Sequence, residues 1–368
     1  MVIDNTARSP KGTGKGGTAM YPSLDLVITM RKARTMTWKQ VFCVPIGEKS
    51  PYDPWGGAKG GIVYDSSAPD AEEVLRAWAR ALASYEVEPG KFVIPDKYIF
   101  GLDVGLKEWA TKAVVNELGN NQKVSTGKPV DCGGIPYDEL GVTGLGLVES
   151  IKTTCLYAGV NFEKATVAIQ GFGAVGGGVV RWLTKLKKRP RVVAVSDWKG
   201  TIYNPGGLKL GKLIRVCKET GSVINYKDAE KIPLGQELFL PVDILILAYH
   251  EDQIDMSNVG QVRAKIVSQG ANLGVTREAE EYLHRNGILS LPDFVVNCGA
   301  STIVYVEHAC GTIKEGLTLV RKVIPKNTRL IIEKSISQGK SPREVAQKIA
   351  EEEVLKAAES KRELGKLQ

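Results

Sequence analysis

Two stretches of this chain carry residue types at spacings that suit chemistry. The first is Trp55-Gly56-Gly57-Ala58-Lys59-Gly60-Gly61, one lysine set among glycines. Glycine lets main chain approach its neighbours with no Cβ in the way, so the run brings backbone close to whatever Lys59 addresses. A lysine in a tight, poorly solvated pocket loses proton affinity and becomes a usable base or nucleophile. The competing reading is a glycine-rich surface turn with an ordinary solvated lysine. The second stretch is Gly171-Phe172-Gly173-Ala174-Val175-Gly176. It follows the apolar strand pattern Thr166-Val167-Ala168-Ile169-Gln170 and precedes a helix pattern with Val179, Val180, Trp182 and Leu183. A second strand, Val192–Val195, leads to Asp197. In that context the glycines make a tight turn, the helix N-terminus approaches a pyrophosphate, and the acid holds ribose hydroxyls.

The elements that must position these stretches follow from periodicity. Apolar residues at 26, 27, 30, 33, 36 and 38 predict a helix from Leu24 to Trp38, with Lys39 at its end. A turn-rich loop, 47–54, then feeds the Lys59 run, and Ile62-Val63-Tyr64 reads as a short strand. Asp70 caps a helix to about Val87; strand character from Lys91 to Phe100 breaks at Pro95 and ends in Gly101-Leu102-Asp103-Val104-Gly105. Gly133-Gly134 and Gly141 mark a domain edge, and Thr143 opens a long apolar helix. Beyond the Gly171 loop, strands Val242–Ala248, Ile266–Ser268 and Ile288–Leu291 alternate with helices near 207–219 and at Arg277–Arg285. This is the pattern of a doubly wound parallel sheet. The fold class is α/β: a substrate domain over 1–141, a Rossmann-type dinucleotide-binding domain over 142–325, and C-terminal helices over 326–368 packing back on the first.

Composition narrows the function classes. With 368 residues, 43% hydrophobic and 24% charged, the chain is long enough for two globular domains. Six cysteines without CxxC spacing and three histidines suggest neither a disulfide framework nor a metal site. The N-terminus lacks a secretory pattern, and no apolar run reaches the roughly 18 residues of a membrane span. A cytoplasmic location without membrane or nucleic-acid partners is expected, because the net charge of +8 is spread out, with only 185–191 dense.

Taken in order, Met36-Thr37-Trp38-Lys39, the Lys59 run, Asp103-Val104-Gly105, the Gly171 loop, Ala271-Asn272 and Pro292-Asp293-Phe294-Val295-Val296-Asn297 resemble the glutamate/leucine/phenylalanine/valine dehydrogenases over nearly the whole chain, most closely the glutamate-specific members. The resemblance implies reversible oxidative deamination of an L-amino acid with NAD or NADP, in a homo-oligomer that is hexameric in the family. By the same resemblance Lys59 activates the water that attacks the iminium carbon, and Asp103 shuttles a proton to and from the substrate nitrogen. Asp96, which lacks flanking glycines, is the weaker candidate for that shuttle. Lys39 binds the α-carboxylate. Asn272 contacts the nicotinamide ribose and Thr143 the carboxamide region, unless Thr143 is only a helix cap. The glycine loop from Gly171 to Gly176, together with Ala248, completes the cofactor site. Asp197 favours NAD, an effect that Lys199 and the preceding basic run could offset.

Substrate choice stays open at this level. Lys15 in Lys15-Gly16-Gly17 matches the lysine that holds a glutamate side-chain carboxylate, whereas Val304 stands where glutamate-specific members carry a serine. A buried cation without a polar helper favours an anionic side chain, since an apolar one would leave Lys15 unpaired. Glutamate is therefore preferred over a branched-chain or aromatic amino acid. Three departures from the family motivate a rival reading as a non-catalytic binding or regulatory subunit. The helix and strand that usually precede Asn5 are missing, the loop 47–54 is longer than usual, and Ala19 and the Gly133–Tyr137 segment diverge.

Overall fold

The computed structural model describes residues 1–48 and 50–366; Lys49, in the loop before Trp55, and residues 367–368 lie outside the described residues. The chain divides into two units, one of residues 1–138, 301–319 and 347–368, the other of 139–300 and 320–346. Of the 326–368 segment, residues from 347 onward thus group with the first unit and those before it with the second.

The first unit contains β1 (Val2–Asn5), β2 (Gly14–Lys15), β3 (Thr18–Met20), α1 (Leu26–Phe42), β4 (Gly56–Ile62), α2 (Ala71–Ser84), the hairpin β5 (Glu86–Glu88) and β6 (Lys91–Phe92), β7 (Tyr98–Ile99) and α3 (Glu108–Glu117). Its sheet runs β1-β4-β2-β7, with β3 also paired to β4. The glycine-rich run is therefore neither a surface turn nor the prelude to a strand at 62–64. It is β4, a buried strand inside the sheet. Its glycines are needed for contact: a Cβ on Gly57 would lie 2.2 Å from the Thr37 nitrogen, and one on Gly60 2.3 Å from the Thr18 Oγ1. Side chains two apart on a strand share a face. Lys59 therefore points to the side that α1 covers above Gly57.

Helix α1 starts where Asp25 accepts a hydrogen bond from the Ile28 N–H (2.7 Å) and continues past Trp38 to Phe42. Lys39 accordingly sits in its last turn. The apolar stripe used to recognise this helix is partly misleading. Leu26, Val27 and Met30 are exposed, while Thr29, Lys32, Ala33, Met36 and Lys39 are buried. The inward face of α1 mixes polar and apolar residues, with Ala33, Met36, Val41 and Phe42 buried beside Lys32 and Lys39.

The second unit contains α4 (Val142–Tyr157), β8 (Thr166–Gln170), α5 (Ala174–Thr184), β9 (Arg191–Asp197), β10 (Gly200–Tyr203), α6 (Leu210–Thr220), β11 (Glu230–Ile232), β12 (Ile244–Leu247), β13 (Ile266–Gln269), α7 (Arg277–Arg285), β14 (Leu289–Leu291) and α8 (Asp293–Val296). Helices α9 (Gly299–His308), α10 (Ile313–Gln338) and α11 (Pro342–Lys366) follow. The sheet order is β11-β10-β9-β8-β12-β13-β14. Strands β9, β8, β12, β13 and β14 are parallel, whereas β10 and β11 add an antiparallel edge. The order reverses between β8 and β12, the switch point at which open α/β sheets bind ligands. Strand β12 is buried throughout, as a central parallel strand must be. No helix among the described residues is long and apolar enough to cross a membrane, and they hold no cluster of groups that could bind a metal.

Candidate active site

Lys59 and Asp103 form a buried ion pair, Nζ to Oδ2, with side chains 4% and 10% exposed. The chain places them by threading Gly16 and Gly17 between β4 and the segment after β7. The Gly60 N–H donates to the Gly17 carbonyl (3.0 Å), and the Thr18 N–H donates to the Gly101 carbonyl (2.8 Å). A Cβ on Gly17 would lie 2.4 Å from the Leu102 carbonyl oxygen, so only glycine allows this approach.

Burial lowers the proton affinity of Lys59; Asp103 opposes that shift, while the positive charges of Lys32 and Lys39 add to it. For Asp103, burial alone would raise the pKa. Lys59 and Lys32 outweigh it and hold the carboxyl well below its ordinary range, helped by the Val104 N–H that donates to Oδ1 (2.8 Å). The charge of Lys59 is the largest influence lowering Asp103, so discharging the lysine would raise the proton affinity of the acid. The two titrate as a pair.

Lys15 is 4% exposed, and burial lowers its pKa to about 7; Glu307 opposes that shift, and Lys128 and Lys59 reinforce it. Its Nζ donates to the carbonyls of Phe100 (2.7 Å) and Ile99 (3.3 Å). The expectation that Lys15 lacks a partner without an anionic substrate is thus corrected: two carbonyls satisfy it. Lys39 and Val304 are both buried, at 6% and 3% exposure. Asp96 is committed elsewhere, its Oδ2 accepting the Phe92 N–H (2.9 Å).

In the second unit, Gly171 takes φ +88, and a Cβ there would lie 2.4 Å from the Ala248 carbonyl oxygen, which brings Ala248 beside the loop. A Cβ on Gly176 would lie 1.9 Å from the Gly171 carbonyl oxygen. Gly173, by contrast, faces open space, with nothing within 4 Å of a Cβ. It is the N-cap of α5 and no side chain caps it, so the first N–H groups, between Phe172 and Val175, are free for an anion. This open cradle fits a dinucleotide pyrophosphate. Asp197, the last residue of β9, already accepts from Ser222 Oγ (2.7 Å), the Val223 N–H (2.7 Å) and the Lys199 N–H (2.8 Å). A carboxylate accepts about four bonds, which leaves Asp197 room for one ribose hydroxyl rather than two. Gly141, not Thr143, is the N-cap of α4, so Thr143 is not there as a simple cap. Asn272 lies in the turn after β13, where Asn297 Nδ2 donates to its Oδ1 (3.3 Å) and to the Gly270 and Ala271 carbonyls (3.2 and 3.3 Å).

Residues missed from the sequence have a common feature: they are charges buried where a pattern predicts core. Lys32, 3% exposed on α1, acts on both Lys59 and Asp103. Lys128 and Glu307 form a buried pair at 2.7 Å, and Glu307 Oε2 also accepts the Gly127 N–H (2.8 Å). Arg343 bridges Glu280 and Asp293, whose other oxygen accepts the Leu273 N–H (3.0 Å) beside Asn272. A lysine interrupting the inward face of α1 was the one available signal.

The glutamate/leucine/phenylalanine/valine dehydrogenase family model matches residues 133–362, and the model for the dimerisation domain of the same enzymes matches residues 3–119. A glutamate dehydrogenase of Thermotoga maritima is 35% identical over 83% of this chain and 71% of its own length. One from Aeropyrum pernix is 32% identical over 95% of this chain and 84% of its own. Among solved structures, a leucine-bound hetero-hexameric glutamate dehydrogenase from Thermus thermophilus superposes with a TM-score of 0.83 at 27% identity, covering 97% of this chain and 83% of that one.

Proposed function

The chain belongs to the glutamate/leucine/phenylalanine/valine dehydrogenase family, and on that premise we propose that it catalyses the reversible oxidative deamination of L-glutamate to 2-oxoglutarate and ammonia. The observation that carries this reading is the buried Lys59–Asp103 pair with two further lysines, Lys32 and Lys39, acting on it.

A bound nicotinamide dinucleotide supplies the hydride acceptor. The residues of this chain do the rest. Lys39 holds the α-carboxylate as a point charge. Asp103 takes a proton from the substrate amine, so that the nitrogen lone pair can drive hydride loss from Cα and leave an iminium. Lys59, whose proton leaves more easily than that of a solvated lysine, deprotonates the water that attacks this carbon. Asp103 then returns the proton to the leaving nitrogen. One amino acid with its amine protonated, one water and one oxidised cofactor give the 2-oxo acid, ammonium, the reduced cofactor and a proton. Lys15 holds the side-chain carboxylate. The backbone amides from Phe172 to Val175 hold the pyrophosphate, and Asp197 receives a ribose hydroxyl, which favours NAD modestly over NADP. The match to a dimerisation domain supports assembly as a homo-oligomer.

A second reading, an apolar amino acid, is favoured by Val304 and by the carbonyl partners of Lys15. Oxidation of NADH and NADPH with ammonia and either 2-oxoglutarate or 2-oxoisocaproate separates the two. Faster turnover with 2-oxoglutarate is expected. Preference for the isocaproate overturns glutamate, and no turnover with any 2-oxo acid overturns the enzyme.

A further inference from the structure

The long loop before Trp55 builds one wall of a cavity of about 570 Å³ that none of the proposed active-site side chains lines. Volumes of about 300–1,000 Å³ are those of small-molecule sites. All of its lining residues belong to the first unit. We propose that this cavity is a second ligand site, which takes a planar aromatic monocarboxylate.

The aromatic walls come from Tyr52, Trp55, Tyr305 and His308. The Trp55 and Tyr305 rings stack at 4.3 Å and 25°, and the His308 ring meets Trp55 edge-on at 5.1 Å. Both Trp55 and Tyr305 are buried, so they form a rigid floor, while half-buried Tyr52 and exposed His308 present accessible ring surface. Aromatic rings arranged this way select a flat, apolar ligand body.

Two lysines on the rim offer a partner for one negative group. Lys11, Lys91 and Lys123 line the cavity, and Lys91 is paired with Glu88 at 2.8 Å. Lys11 and Lys123 have no carboxylate partner among the described residues. Asp53 and Asp96 also line the cavity and disfavour a second negative charge on the ligand. His308 has its proton affinity lowered by partial burial and then by Lys15, Lys128, Lys123 and Lys11, so it contributes a neutral ring.

The floor of the cavity is wired to the proposed substrate lysines. The Trp55 N–H donates to Tyr305 Oη (3.3 Å), Tyr305 Oη donates to Gln40 Oε1 (2.8 Å), and Gln40 Nε2 donates to the Lys15 carbonyl (3.4 Å). Gln40 directly follows Lys39. An occupant resting on this floor therefore bears on the backbone of Lys15 and on the end of α1.

The test is isothermal titration of the full chain with indole-3-carboxylate, with indole and acetate as arms that keep only the ring or only the charge. Saturable binding of indole-3-carboxylate, at least about tenfold tighter than either arm, is expected. Replacing both cations in a Lys11→Gln, Lys123→Gln variant, with an unchanged thermal midpoint, should weaken it by about tenfold or more. No saturable binding overturns the proposal, as does binding that survives the double variant. The deamination assay above is independent of all these outcomes.

Discussion

Replacing Lys15 by methionine gives the sharpest check on substrate choice, because its pH dependence is fixed by burial. With a pKa of about 7 in the free enzyme, Lys15 is about half protonated at pH 7 and about 1% protonated at pH 9. Only the ammonium form attracts a side-chain carboxylate. As pH rises through 7, kcat/KM for 2-oxoglutarate should therefore fall relative to kcat/KM for 2-oxoisocaproate. The fall is about 50-fold between pH 7 and pH 9, or about 2.3 kcal/mol. Taking the ratio of the two substrates removes the titration of Lys59 and the supply of free ammonia, which both reactions share. The Lys15→Met variant lacks the charge at every pH, so its ratio should be flat and should equal the floor that the unaltered enzyme approaches at high pH. The assay is initial-rate reductive amination at a series of pH values. A ratio that stays constant in the unaltered enzyme, or that still falls in Lys15→Met, refutes the assignment of Lys15 to the side-chain carboxylate.

Lys59→Ala should lower turnover by about 100- to 10,000-fold while leaving NADH binding, read by fluorescence, within about twofold; surviving rates would remove Lys59 from the chemistry. Val304→Ser places a hydroxyl on α9 and should raise the preference for 2-oxoglutarate over 2-oxoisocaproate by about tenfold, measured as the ratio of kcat/KM values. Lys32→Met removes a positive charge that acts on both partners of the ion pair. Lys59 then holds its proton to higher pH, and the alkaline-rising limb of kcat/KM should move upward; an unmoved limb counts against Lys32 as a positioning residue. Arg343→Met leaves Glu280 and Asp293 buried without their cation and should cost about 3–5 kcal/mol in urea unfolding, with weaker cofactor binding because Asp293 also fixes the Leu273 turn. Stability equal to that of the unaltered chain would show the triad to be dispensable.

Much of the second unit was legible in the sequence because its signals are local. Strand β8 and helix α7 fall where the sequence pattern predicts them, and the Gly171 loop lies between its strand and its helix. Parallel strands are buried on both faces, so their composition announces them. The first unit reads less well. Strand β4 is almost all glycine and alanine with one lysine, and it has no strand propensity of its own; sheet neighbours and α1 hold it extended. Helix α1 misleads differently, because its apolar residues Leu26, Val27 and Met30 face outward and its lysines face inward.

The sequence by itself supplied the candidates for the chemistry: a lysine among glycines, a carboxylate between glycines and a dinucleotide-type loop are each short, local patterns. Only the tertiary structure decided how those groups are charged. Lys15 reaches the carbonyls of residues 99 and 100, Lys32 acts on the Lys59–Asp103 pair, and Asp197 is already engaged by the backbone of residues 199 and 223. Proton affinity depends on burial and on charges brought close by the fold, and residues distant along the chain supply both. The glycine run around Lys59 shows the division most plainly. Its composition suits a turn better than a strand, and the fold holds it extended, with Thr37 and Thr18 so close that no side chain fits at Gly57 and Gly60.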